Sequence, residues 1–150
     1  MTIRSTRARG AAACGLLAAT ATLALGGVAF ASHAIKNASY SGAYTGRPTD
    51  TISFKVSANG KRVVDLSVST PYKCSGGCGG VPNPSAGSVR ITGNKFKVTL
   101  KLREPGNSSK VFGSDTVTGT FEKGGTAKGT VKSHFDASNS GETVSWTAVS

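Results

Sequence analysis

Residues 50–69 read DTISFKVSANGKRVVDLSVS, and they decide the fold class. Ile52, Phe54 and Val56 alternate with Ser53, Lys55 and Ser57, and Val64, Leu66 and Val68 then alternate with Asp65 and Ser67. A period of two places one set of side chains on each face of a pleated strand, so both segments read as half-buried strands. Asn59 and Gly60 lie between them, and both tolerate the positive φ of a type I′ turn. The stretch is a β-hairpin.

The same grammar continues along the chain. Val89 and Ile91 mark a short strand, Gly93-Asn94 a turn, and KFKVTLKLR a longer strand with Phe96, Val98, Leu100 and Leu102 on one face. PGNSS (105–109) reads as a loop, followed by VFGSDTVTGTF, a Gly124-Gly125 turn, TAKGTVKSHF, a loop at DASNSG and the closing ETVSWTAV. ASYSGAYTG supplies the first strand. No window of this region repeats its apolar residues every 3.6 positions, and its β-branched residues and glycines disfavour helix. The expectation is an all-β domain, an antiparallel β-sandwich or barrel of about eight short strands. Gly42, Gly119 and Gly129 fall inside strands, which signals bulges, bends or close strand approach.

The first 31 residues follow another pattern. Arg4, Arg7 and Arg9 precede an apolar run from about Ala11 to Phe30, and Ala29-Phe30-Ala31 offers small residues around a cleavage point. This is the layout of a secretory signal peptide, a helix removed on export. The expected organisation is a signal peptide over 1–31, a flexible tail over 32–38 that includes His33, and one all-β domain over 39–150. No transmembrane anchor is expected after cleavage. The destination is secreted, extracellular or associated with the cell envelope. The chain's formal charge of +11 falls to +8 when the three arginines leave, since no acid leaves with them.

Cys14 leaves with the signal, which keeps Cys74 and Cys78 in TPYKCSGGCGGVPNPS. The glycines there fit neither a dinucleotide fingerprint, because Pro82 stands where a glycine is needed, nor a P-loop. A closed zinc site needs four ligands, and a thioredoxin-type pair needs two intervening residues in a βαβ setting. In an oxidising compartment the pair reads as a disulfide closing a small ring, worth about 2 kcal/mol on a chain-entropy basis. No metal or cofactor is expected. Nor is a catalytic residue assigned. The carboxylates Asp65, Glu104, Asp115, Glu122, Asp136 and Glu142 stand singly in sequence, and no hydrolase or metalloprotease motif is present.

Charge is distributed by face. Opposite the apolar set of KFKVTLKLR stand Lys95, Lys97, Thr99, Lys101 and Arg103, a cationic line of about 27 Å at about 3.4 Å per residue. Opposite Val131 and Phe135 stand Lys128, Thr130, Lys132 and His134. In a meander Thr116, Thr118 and Thr120 lie between the two rows. A basic, hydroxyl-rich face of this kind suits an anionic cell-wall polymer or polysaccharide. Its bland counterpart is a solubilising face with lysine-guarded edges. Sequence-specific nucleic-acid binding is not expected, because aromatic rings do not interleave with the cations.

Several of these stretches resemble an uncharacterised family of small exported all-β proteins of high-GC Gram-positive bacteria. The matching features are Gly42-x-Tyr44-x-Gly46, ISFKVSANGKRV, GTFEKGGTAKGTV and VSWTA, which together span most of residues 40–149. The resemblance implies an exported β domain and carries no activity. Relatives place one cysteine in the long middle loop and another before the last strand, where this chain reads ASNSGETV without one.

Two functions are expected from this reading. The first is a non-enzymatic exported domain binding an anionic polymer or surface through Lys95, Lys97, Lys101, Arg103, Lys128 and Lys132. The alternative is a carbohydrate- or protein-binding module, inhibitors included, that makes contact through the loop from Thr70 to Ser88, with Tyr72 and Lys73 as contact residues and a protein partner.

Overall fold

The computed structural model describes residues 33–71, 84–104, 106–136 and 141–150. Tyr72, Lys73, Cys74 and Cys78 lie outside them, as does the expected signal peptide. Eight strands follow in order: β1 (Ser39–Tyr44), β2 (Arg47–Val56), β3 (Arg62–Val68), β4 (Ser85–Arg90), β5 (Lys95–Glu104), β6 (Asn107–Phe121), β7 (Thr126–Phe135) and β8 (Thr143–Val149). All pair antiparallel in one sheet of order β4-β3-β2-β1-β8-β7-β6-β5. The β1–β8 pairing joins the two halves of the chain into a nearly closed meander barrel. Sandwich and barrel were both open on the sequence, and the barrel is the outcome. Its one seam lies between β4 and β5, which approach each other beside their shared turn.

Alternation sends large side chains inward. Tyr40 stacks on Phe54 with ring centroids 5.0 Å apart, and Phe121, Phe96 and Trp146 meet the same Phe54 edge-on at 6.0, 5.5 and 6.1 Å. Tyr40 and Tyr44, which share a face with Gly42, therefore both point into the core. One ladder row reads Phe96, Gly119, Gly129, Trp146 across β5 to β8. The two glycines make room for the two rings, whose centroids lie 6.2 Å apart. A Cβ on Gly119 would stand 2.2 Å from the Phe96 ring. One on Gly129 would stand 1.8 Å from the Thr118 carbonyl oxygen. Close approach, rather than a bulge, explains these strand glycines.

Local details depart from the sequence reading in three places. Val63, not Val64, faces the core, because the ladder skips a position opposite Phe54 and Asp65 adopts φ 53°. This bulge shifts the phase of the strand by one residue before Leu66 and Val68 resume it. In the Asn59-Gly60 turn only Gly60 has positive φ. Asn59 instead accepts hydrogen bonds at Oδ1 from the Lys61 amide and the Ser57 hydroxyl, making a longer loop built on a turn at 57–60. The tight two-residue turn with both φ positive occurs at Gly93-Asn94. Finally, Asn107–Ser109, read as loop, open the 15-residue β6, and β4 begins at Ser85, earlier than the pattern around Val89 indicated.

The barrel has two unlike ends. One carries the turns at 57–61, 91–94 and 122–125 together with residues 33–38. Those residues, expected as a tail, lie across the opening. Ala34 is buried, the His33 amide donates to Asn94 Oδ1 at 2.8 Å, and the Val56 amide donates to the Ala38 carbonyl at 2.9 Å. The other end carries the β1–β2 turn, where Arg47 grips both Glu142 carboxylate oxygens at 2.7 and 2.8 Å, and the longer connections.

Candidate functional site

The sheet pairing builds an outer face on β5, β6 and β7. Lys95 lies opposite Thr120, which lies opposite Lys128. The next rows read Lys97, Thr118, Thr130, then Thr99, Thr116, Lys132, then Lys101, Ser114, His134. The two cationic strands are thus separated by a hydroxyl strand, about 10 Å apart at two strand spacings. Thr118 and Thr130 hydroxyls hydrogen-bond at 2.9 Å, and those of Thr99 and Thr116 meet at 3.3 Å, which orders that middle strip.

Not every cation of the expected set stands free. Lys128 pairs with Glu122 at 3.0 Å. Arg103 lies beyond a shift in the β5–β6 register, and its guanidinium donates to the Ser108 carbonyl of its own hairpin. Lys95, Lys97, Lys101 and Lys132 are exposed and make no ion pair among the described residues. The part of this face free of ion pairs among the described residues is therefore these four lysines with the threonines between them.

Two further features were not read from the sequence. At the seam, a groove of about 460 Å³ is walled by Arg90, Thr92, Lys95, Lys97, Thr118 and Thr120, with Phe96 and Gly119 completing its lining. Arg90 comes from β4, and only the closing of the meander brings it beside β5. At the opposite end of the barrel interior, Asp115 is fully buried. Its Oδ1 accepts from the Ser133 hydroxyl at 2.6 Å and its Oδ2 from the Thr70 hydroxyl at 2.8 Å, tying β6 to its neighbour β7 and to the chain just past β3. Burial raises the Asp115 pKa above its ordinary value, and the two hydroxyl donors partly offset the rise. Beside it the buried Tyr44 hydroxyl donates to the Ser69 carbonyl. Burial, then the charges of Asp115 and Asp50, push the Tyr44 phenol upward. The sequence did carry a signal for Asp115, since it is in phase with Val117 and Phe121 on β6.

Ser133 and His134 are consecutive on β7, so they face opposite sides of the sheet. Ser133 is buried against Asp115, while His134 is exposed with Asp136 at 3.7 Å. No group of three or more potential metal ligands gathers among the described residues. The expected disulfide and the Tyr72–Lys73 contact fall outside those residues. No protein-family model, curated protein or solved structure matches the chain.

Proposed function

We propose that this chain is an exported, non-enzymatic β domain that binds an anionic polymer of the cell envelope through the outer face of β5–β7. One observation carries the reading: Lys95, Lys97, Lys101 and Lys132 stand exposed and free of carboxylate partners around a strip of threonine hydroxyls. A face that only conferred solubility would be served as well by interspersed charges of both signs, as elsewhere on this barrel, where Lys55 meets Asp65 and Lys110 meets Glu104. Polymer binding here is mainly electrostatic, so it weakens as salt rises.

The test is the affinity of the purified chain for poly(glycerol phosphate), measured across a salt series. Lys97→Ser/Lys101→Ser should weaken binding and flatten the plot of log K against log salt by about 0.7 per cation removed, the value for flexible single strands. Affinity indifferent to both salt and substitution would refute the reading.

A further inference from the structure

The structure assigns the seam groove beside β4 and β5 as the place where this face grips a single phosphodiester of a polyol chain, an inference that rests on the polyanion reading above.

The groove gathers more positive charge than folding requires. Arg62 and Arg90 lie directly opposite each other on β3 and β4, both exposed on the outer surface. Like charges in directly opposed positions destabilise an antiparallel pair. Arg62 is held by its Nε donating to the Ser88 hydroxyl, whereas Arg90 lines the groove. Lys95 and Lys97 enter from β5 across the seam, Thr92 and Thr120 stand beside them with hydroxyls, Thr118 turns its hydroxyl to Thr130, and Phe96 and Gly119 complete the lining. Among the described residues no carboxylate lines the groove. Three cations thus converge on one concavity from two strands that do not pair with each other, and a bound anion is what would relieve their repulsion.

The wall chemistry selects among anions. A planar guanidinium matches two oxygens of a tetrahedral or carboxylate anion, and lysines add point charges. The hydroxyls gain most from the better acceptor. A phosphodiester is the conjugate base of a weaker acid than a sulfate monoester, so its oxygens accept hydrogen bonds more strongly. The same hydroxyls can exchange hydrogen bonds with a polyol backbone. Among the described residues a nucleic-acid base would find little to stack on in the groove: Phe96 lines it but is only 3% exposed, and the half-buried Phe112 and Phe135 stack on each other toward the far end of β6.

The experiment compares two double variants, Arg90→Ser/Lys95→Ser in the groove and Lys101→Ser/Lys132→Ser beyond it, each removing two charges from exposed positions. Binding of a short glycerol-phosphate oligomer is measured by calorimetry at low salt, with thermal denaturation confirming that each variant folds as the parent does. The groove variant should lose about tenfold or more in affinity and the distal variant about twofold, because only the former removes charge-assisted hydrogen bonds to a seated phosphate. Equal losses in the two variants overturn the groove while leaving the face as a diffuse polyanion binder. If the parent chain binds no oligomer at low salt, groove and face readings both fall. A heparin-derived hexasaccharide or an oligothymidylate that binds as tightly as the glycerol-phosphate oligomer overturns the choice of a polyol phosphodiester.

Discussion

Asp115 shows how one buried side chain can be legible in sequence and still be overlooked. It sits in an apolar phase inside a strand, two positions before Val117 on β6, whereas Asp50, Glu104 and Glu142 share an apolar phase only at or near strand ends, and the structure leaves it fully buried with two hydroxyl donors. Two hydrogen bonds do not replace the water that a carboxylate loses, so its proton is held more tightly in the folded chain than in the unfolded one. A raised folded pKa means that the group's stabilising contribution is complete below its ordinary value of 3.8 and is lost as pH rises through the folded value. Asp115→Asn keeps the shape, accepts from Ser133 and can donate to Thr70, but it does not titrate. Urea denaturation between about pH 3 and pH 7 should therefore show the variant gaining stability over the parent as pH rises, with a slope of at most about 1.4 kcal/mol per pH unit. A difference that stays constant over that range would mean that Asp115 titrates alike in both states. What the sequence could not supply was Thr70, which is 45 residues away and is brought to Asp115 only by closure of the barrel.

Strands were the most legible part of the chain, because a period of two is a local signal that survives without knowledge of partners. Their irregularities were less so. The bulge at Asp65 depends on how β3 registers against β2, and nothing in VVDLSV marks which valine turns inward. The strand glycines were visible, but their purpose needed the neighbours Phe96 and Trp146 that the ladder sets beside them. Those neighbours make the two glycines unequal. At Gly119 the obstacle to a methyl group is the Phe96 ring; at Gly129 the nearest obstacle is the Thr118 backbone oxygen. A ring can be shortened by mutation and a backbone cannot. Gly119→Ala should destabilise by about 1–3 kcal/mol, and Gly129→Ala by at least the upper end of that range. Adding Phe96→Leu should restore part of the loss in Gly119→Ala and none in Gly129→Ala, a coupling that a double-mutant cycle from denaturant midpoints reads directly. Equal behaviour of the two pairs would show that the row does not pack as described.

Barrel closure and charge are properties that no single strand reveals. The sequence indicated two cationic rows, and the pairing of β5, β6 and β7 sets them on one face. It gave no hint that β4 would bring Arg90 to the same region, because the seam is defined by which strands fail to pair. With 18 basic and 7 acidic residues, the chain holds more cations than its acids can match. Exposed pairs such as Lys110–Glu104 and Lys128–Glu122 contribute at most about 1 kcal/mol each, and salt weakens them. Repulsion among the unmatched cations is also screened by salt, and the charge imbalance makes this the larger effect. Raising NaCl from about 0.01 M to about 0.15 M shortens the screening length from about 30 Å to about 8 Å. The melting temperature of the free chain should therefore rise over that range. With poly(glycerol phosphate) present the polymer itself relieves the repulsion at low salt, stabilising the fold by about 2.7 kcal/mol at a hundredfold excess over Kd. Salt then strips the polymer off, so the melting temperature should fall over the same range. Opposite salt responses with and without polymer tie the charge imbalance to binding. A free chain whose melting temperature stays flat or falls with salt would mean that its cations are already neutralised within the fold, leaving the outer face without the excess charge that polymer capture needs.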